Sequence, residues 1–116
     1  MKTVERLLGA VMFLGGIGHG FGSYMAYGKD PMELLWALSA SFAFFLLASL
    51  NLLRTWRSGD KAMAWICLLG CLVQAGFAIW FGRLIGNLLD FRPFINAIVA
   101  LLLALFSARS LFQRSA

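Results

Sequence analysis

The chain has 116 residues, of which 61% are hydrophobic and 13% charged, against about 25% charged in an ordinary soluble domain. Its mean hydropathy of +0.83 and its apolar runs of about 20 residues point to transmembrane helices within one domain. The net charge of +5 does not make it a nucleic-acid binder: the basic residues stand singly at segment ends, with no basic run interleaved with aromatics, and orientation on anionic headgroups explains them.

The first predicted helix covers residues 5–27. It contains Gly15-Gly16-Ile17-Gly18-His19-Gly20-Phe21-Gly22-Ser23, where glycines strip the helix of side-chain bulk around the only histidine of the chain. Glycine lets helix backbones approach closely in lipid, and an ionisable group at that depth needs a partner or a wet cavity. The segment lacks a small-residue cleavage site and is expected to persist as a helix rather than leave as a signal peptide.

The second helix is predicted over residues 32–53. Asp30 is placed to cap it, Pro31 to take its first position, and Glu33 its third, close to a capping box. The third covers residues 62–85 with Asp60 as its cap, and the fourth residues 93–112 with Pro93 opening it. The short linkers fit connections within a bundle.

Lys2, Arg6, Arg54, Arg57, Lys61, Arg109 and Arg114 fall on one side, and Lys29, Arg83 and Arg92 on the other. This bias puts both termini in the cytoplasm. The predicted architecture is all-α, an up-down bundle of four transmembrane helices with both termini cytoplasmic.

Small residues recur at helical spacing on each segment: Gly15, Gly18 and Gly22, with Gly16 and Gly20 adjacent; Ala37, Ser41, Ala48 and Asn51; Cys67, Cys71, Ala75, Ala78, Gly82 and Gly86; Ala97, Ala100, Ala104 and Ser107. These faces are expected to pack together while Phe, Leu and Ile meet lipid. The pairs Gly16/Gly20, Gly18/Gly22 and Gly82/Gly86 also have the spacing of a dimer motif, so they serve either the bundle or a homo-oligomer.

Counting about 18 Å inward at 1.5 Å per residue brings His19, Ser41, Gln74 and the region of Asn96 to one level. Tyr24, Glu33, Arg83, Asn87 and Asp90 lie farther out, with Ser39. The expectation is a polar pocket or vestibule in the outer half and dry packing in the inner half around Cys67 and Cys71. The competing reading is interhelical hydrogen bonding alone, about 0.6 kcal/mol per bond. Arg83 reads as an interfacial snorkel or a partner of Asp90.

Other chemistry is not supported. Cys67 and Cys71 are spaced CxxxC on one helix, unlike the CxxC of redox and metal sites, and no metal is expected. One histidine rules out a bis-His haem; His19 with Met12 or Met25 is the remaining haem option, and no cofactor is expected. No nucleophile–base–acid set, intramembrane carboxylate pair or phosphate loop is present, so no enzyme is expected. The chain is similar in size to the small multidrug resistance transporters but lacks their carboxylate deep in the first helix; Glu5 sits at the membrane edge.

Gly18-His19-Gly20-Phe21-Gly22-Ser23, Leu34-Leu35-Trp36-Ala37-Leu38, Asn51-Leu52-Leu53-Arg54 and Ile85-Gly86-Asn87-Leu88-Leu89-Asp90-Phe91-Arg92-Pro93 resemble uncharacterised bacterial four-helix inner-membrane proteins, loosely DoxX-like. The resemblance implies the bundle and a bacterial inner membrane, and no activity. The expected function is a small non-enzymatic membrane protein binding a lipophilic molecule or a partner through the outer pocket. The alternatives are a homo-oligomeric transporter or channel with His19 as proton-linked residue, and an accessory subunit of a membrane complex.

Overall fold

The computed structural model describes residues 2–113; Arg114, counted above on the side of the termini, lies outside the described residues. Four helices follow one another: α1 (Lys2–Tyr27), α2 (Pro31–Arg54), α3 (Lys61–Leu84) and α4 (Phe91–Phe112), with no strand among the described residues. The all-α four-helix bundle expected from the sequence is the observed architecture. A 24-residue helix such as α2 is roughly 36 Å long at 1.5 Å per residue, more than the ~30 Å hydrocarbon core of a bilayer. All four helices are long and apolar enough to cross a membrane.

The surface agrees with lipid contact. Phe42 and Leu105, both in mid-helix, are 67% and 66% exposed, and large apolar side chains cover the outside of every helix. A water-facing monomer rarely presents so continuous an apolar surface. Trp36, Trp56, Trp65 and Trp80 are exposed near helix ends, where amphipathic rings suit a membrane interface. The chain is thus compatible with a small multi-pass membrane protein.

The helix starts follow the predicted chemistry. Asp30 accepts from the Glu33 backbone N–H at 3.3 Å, with Pro31 opening α2. Asp60 accepts from Met63 N–H at 3.0 Å. One start differs: α4 opens at Phe91, capped by Asp90 through Arg92 N–H at 3.0 Å. Pro93 is therefore third in the helix, where its missing N–H costs nothing because first-turn amides lack intrahelical partners.

The glycine faces need two corrections. Gly82 and Gly86 do not share a helix face, because α3 ends at Leu84. Gly86 takes φ +73°, and the bonds Gly86 N–H to Arg83 O and Asn87 N–H to Gly82 O form a Schellman stop, where a left-handed glycine is favoured. On α1 the packed glycines are Gly9, Gly16 and Gly20, which approach Leu52, Phe44 and Ser41 of α2. Gly18 and Gly22 are exposed with open space where a Cβ would go.

The chain forms two tight hairpins, α1/α2 and α3/α4, which touch each other less extensively. Met12, Phe44, Leu47, Ala48, Cys71, Ala75, Val99, Ala100, Leu103 and Ala104 form the core between them. This core occupies the middle of the bundle and the half nearer the termini. Beyond it, Gly20 meets Ser41 and Gly82 meets Leu88 and Pro93, both of them approaches within one hairpin.

Candidate functional site

Polar side chains collect at two levels. The outer level holds the four residues singled out by depth. Ser41 is buried against Gly20 and donates to Ala37 O at 3.3 Å. The Asn96 carboxamide oxygen lies 3.6 Å from the position of a Cβ on Gly15, and its nitrogen donates to Arg92 O at 2.8 Å. The His19 ring is exposed and leans on Phe44, with centroids 5.5 Å apart. Gln74 is half-buried, and its carboxamide has no hydrogen-bond partner among the described residues. Ser41 and Asn96 thus each lie against an α1 glycine.

The residues assigned farther out have local roles. Asn87 turns the α3–α4 loop by accepting from Leu89 N–H at 3.0 Å. Of the two readings of Arg83, interfacial snorkel or partner of Asp90, the second is not formed: Asp90 pairs with Arg92 at 3.0 Å, because Arg92 also supplies the capped amide. That side-chain bond, ahead of the backbone one, holds the Asp90 carboxyl below the usual carboxylate range. Arg83 is exposed, and so is Glu33 at the first turn of α2. Exposed Tyr24 borders a wide-open surface depression with Met25, Ala26, Gly28 and Lys29.

The inner level was expected to be dry packing, and it is not. Asn51 is fully buried; its nitrogen donates to Leu47 O at 2.9 Å and to the Cys71 sulfur at 3.3 Å, and its oxygen has no partner. One turn nearer the termini, Arg54 is only 4% exposed. Its Nη1 donates to Glu5 Oε2 of α1 at 3.1 Å and to Ser110 Oγ of α4 at 2.9 Å. Nε and Nη2 are buried with no partner. Cys67 of α3 lies beside the guanidinium, so groups from all four helices meet there.

A second ring of contacts closes this end. Arg6 donates from Nε to Thr55 Oγ1 at 3.0 Å and covers the Trp56 ring at 4.4 Å. Lys61 donates to the carbonyls of Ser110 at 2.9 Å and Leu111 at 2.8 Å, and to that of Gln113. A cation there suits the negative end of α4. Asp60 is held below its ordinary range, first by the Met63 amide and then by Arg57, whose Nε is 3.1 Å away. Next to Arg54 a cavity of about 80 Å³ is lined by Lys2, Glu5, Arg57, Asp60, Arg109 and neighbouring polar groups.

Arg54 and Glu5, expected at the membrane edge, are instead largely buried, their side chains 3% and 12% exposed. A signal for their burial was available. Arg54 continues the stripe Phe44, Leu47, Ala48, Asn51 on α2, and Glu5 continues Gly9, Met12, Gly16 on α1. Spacings of three and four put each charge on the buried face of its helix. No group of His, Cys, Asp and Glu among the described residues has the geometry to hold a metal ion. No family model matches the chain, and no curated protein or solved structure was found to match it.

Proposed function

We propose that this is a small non-enzymatic membrane protein of the bacterial inner membrane that takes a small lipophilic or amphipathic molecule between its two hairpins, in the outer half. His19, Ser41, Gln74 and Asn96 supply the polar contacts. The observation that carries this reading is Gln74, a carboxamide at mid-membrane depth with no partner among the described residues. Such a group is costly in hydrocarbon, and a bound molecule with a polar end would satisfy it. The DoxX-like kinship belongs to the same proposal and rests on the sequence pieces alone.

The test is native mass spectrometry of protein extracted gently from its own membrane, for wild type and Gln74→Leu. A discrete extra mass that the variant loses supports the reading. A bare chain carrying only ordinary phospholipid in both sinks it.

A second reading is favoured by Gly18 and Gly22, whose open, exposed spacing suits close approach of another helix. It makes the protein a homo-oligomeric transporter or channel with His19 as its proton-linked residue. Under it, His19→Ala abolishes pH-dependent flux in reconstituted vesicles; a wild type without such flux removes it.

A further inference from the structure

We propose that the α3–α4 loop is a membrane-inserted surface, seated in the boundary between head groups and acyl chains of the leaflet opposite the termini, with Leu84, Leu89 and Phe91 in contact with lipid chains. It rests on the membrane-spanning reading of the chain and is independent of any ligand between the hairpins.

The side chains that the loop turns outward are apolar. Leu84, Leu89 and Phe91 are 74%, 78% and 68% exposed, and Ile85 and Leu88 are exposed too. The α2–α3 loop at the opposite end is built differently: Trp56 stands there among Arg57, Ser58, Gly59 and Asp60. The apolar surface of the α3–α4 loop is continuous with exposed Trp80, Phe81, Phe94 and Ile95 of the flanking helices, which belong to the surface already assigned to lipid.

Backbone that approaches hydrocarbon must bond within itself, because lipid chains offer no partners. This loop does so. The N–H of Ile85 donates to Phe81 O, that of Gly86 to Arg83 O, that of Asn87 to Gly82 O and that of Asp90 to Asn87 O, and the Leu89 N–H donates to Asn87 Oδ1 at 3.0 Å. From Ile85 to Asp90, the Leu88 amide alone lacks a bond among the described residues. The single acid of the loop, Asp90, is engaged through both oxygens by Arg92. Gly82 lets the loop fold back on α3, with Leu88 Cα 3.3 Å from the position of a Cβ on that glycine, so the loop has a fixed shape.

The length of α4 sets the depth. Arg92 and Arg109 bound its apolar stretch and lie roughly 25 Å apart at 1.5 Å per residue, whereas Lys61 and Arg83 of α3 lie roughly 33 Å apart. The hydrocarbon core is ~30 Å thick. With Arg109 at one edge of the core, the opposite edge falls about 5 Å beyond Arg92, at the level of the loop. The long stems of Arg83 and Arg92 let their charged heads reach the head groups from there.

The test is spin labelling of the whole protein in mixed phosphatidylcholine and phosphatidylglycerol vesicles. Labels are placed on Leu84→Cys, Leu89→Cys, Ser58→Cys in the α2–α3 loop and Phe42→Cys in mid-helix. Cys67 and Cys71 are fully buried, and the chain without an added cysteine gives the background. Collision with oxygen, which concentrates in hydrocarbon, is compared with collision with a water-soluble nickel chelate. The expected oxygen-to-nickel ratio at 84 and 89 approaches that at 42 and is several-fold above that at 58. A water-like ratio at 89 with a lipid-like one at 42 overturns the proposal and leaves the spanning helices standing; a water-like ratio at 42 overturns both. A label at 89 shielded from both reagents shows that protein covers the loop, a second copy of the chain included, and overturns the proposal as well.

Discussion

Glu5→Gln is the sharpest probe of the buried ion pair. The substitution keeps the size of the side chain and removes its charge, leaving Arg54 buried without a counter-ion. Breaking a buried pair from one side typically costs 3–5 kcal/mol. The Glu5 side chain is 12% exposed against 3% for Arg54, and the adjoining cavity admits water, so the lower end applies, about 3 kcal/mol. Replacing both partners has a different outcome. In Glu5→Gln/Arg54→Met no charge remains buried, and Ser110 keeps its own bond to Phe106 O at 3.1 Å. The double variant should therefore lie within about 1 kcal/mol of wild type, as paired replacements of buried ions often do. The assay is reversible unfolding in mixed micelles against the mole fraction of a denaturing detergent. A loss under about 1 kcal/mol for the single variant, or a double variant less stable than the single, refutes a desolvated, Glu5-dependent Arg54.

Other outcomes follow from single contacts. Gly16→Ala places a methyl 3.1 Å from the Phe44 Cβ, an atom fixed to its backbone, and should cost about 1–3 kcal/mol by overpacking; Gly18→Ala meets nothing and should be neutral or stabilise by up to about 1 kcal/mol, both read in the same unfolding assay. Gly86→Ala imposes a side chain on φ +73° and should cost about 1–2 kcal/mol, with Gly86→Asn milder. Asp60 and Asp90 have depressed folded pKa values, so their contribution is complete above the ordinary carboxylate pKa of about 4 and fades as pH falls through the folded values; wild type should lose stability on acidification below about pH 4, and Asp60→Asn should show a smaller loss. Lys61→Met removes a cation bound to two carbonyls of the last turn of α4 and to that of its C-cap Gln113, and amide exchange in the last turn of α4 should accelerate while exchange in mid-helix stays unchanged.

The helices were legible because each rests on local signals: an apolar run of membrane length, Asp30 and Pro31 at one start, Asp60 at another. Pro93 misplaced the fourth start by two residues, because a proline fits anywhere in the first turn and Asp90 offered a cap that depth counting had assigned to a vestibule. The small faces were legible as composition but not as direction. On α1, Gly16 and Gly18 lie about 200° apart around the helix at 3.6 residues per turn, and only tertiary contact decides which faces inward. The inner polar centre was hidden by a rule that is correct on average. Lys and Arg at helix ends orient membrane proteins, and that sufficient account of Arg54 diverted attention from its register with Asn51. Charge at a helix end and register on the buried face coincide at Arg54, and only the two together place it in the core.

The contacts of Arg54 also carry a consequence for biogenesis. Its counter-ion comes from α1 and its hydroxyl acceptor from α4, the first and last helices to leave the ribosome. A nascent chain that has threaded only its first hairpin already holds the ion pair but leaves the guanidinium without the helix that closes it over. Stopping synthesis before Ser110 therefore yields a species with its charge open to solvent and lipid head groups. Completion of the chain is therefore coupled to sealing of that charge.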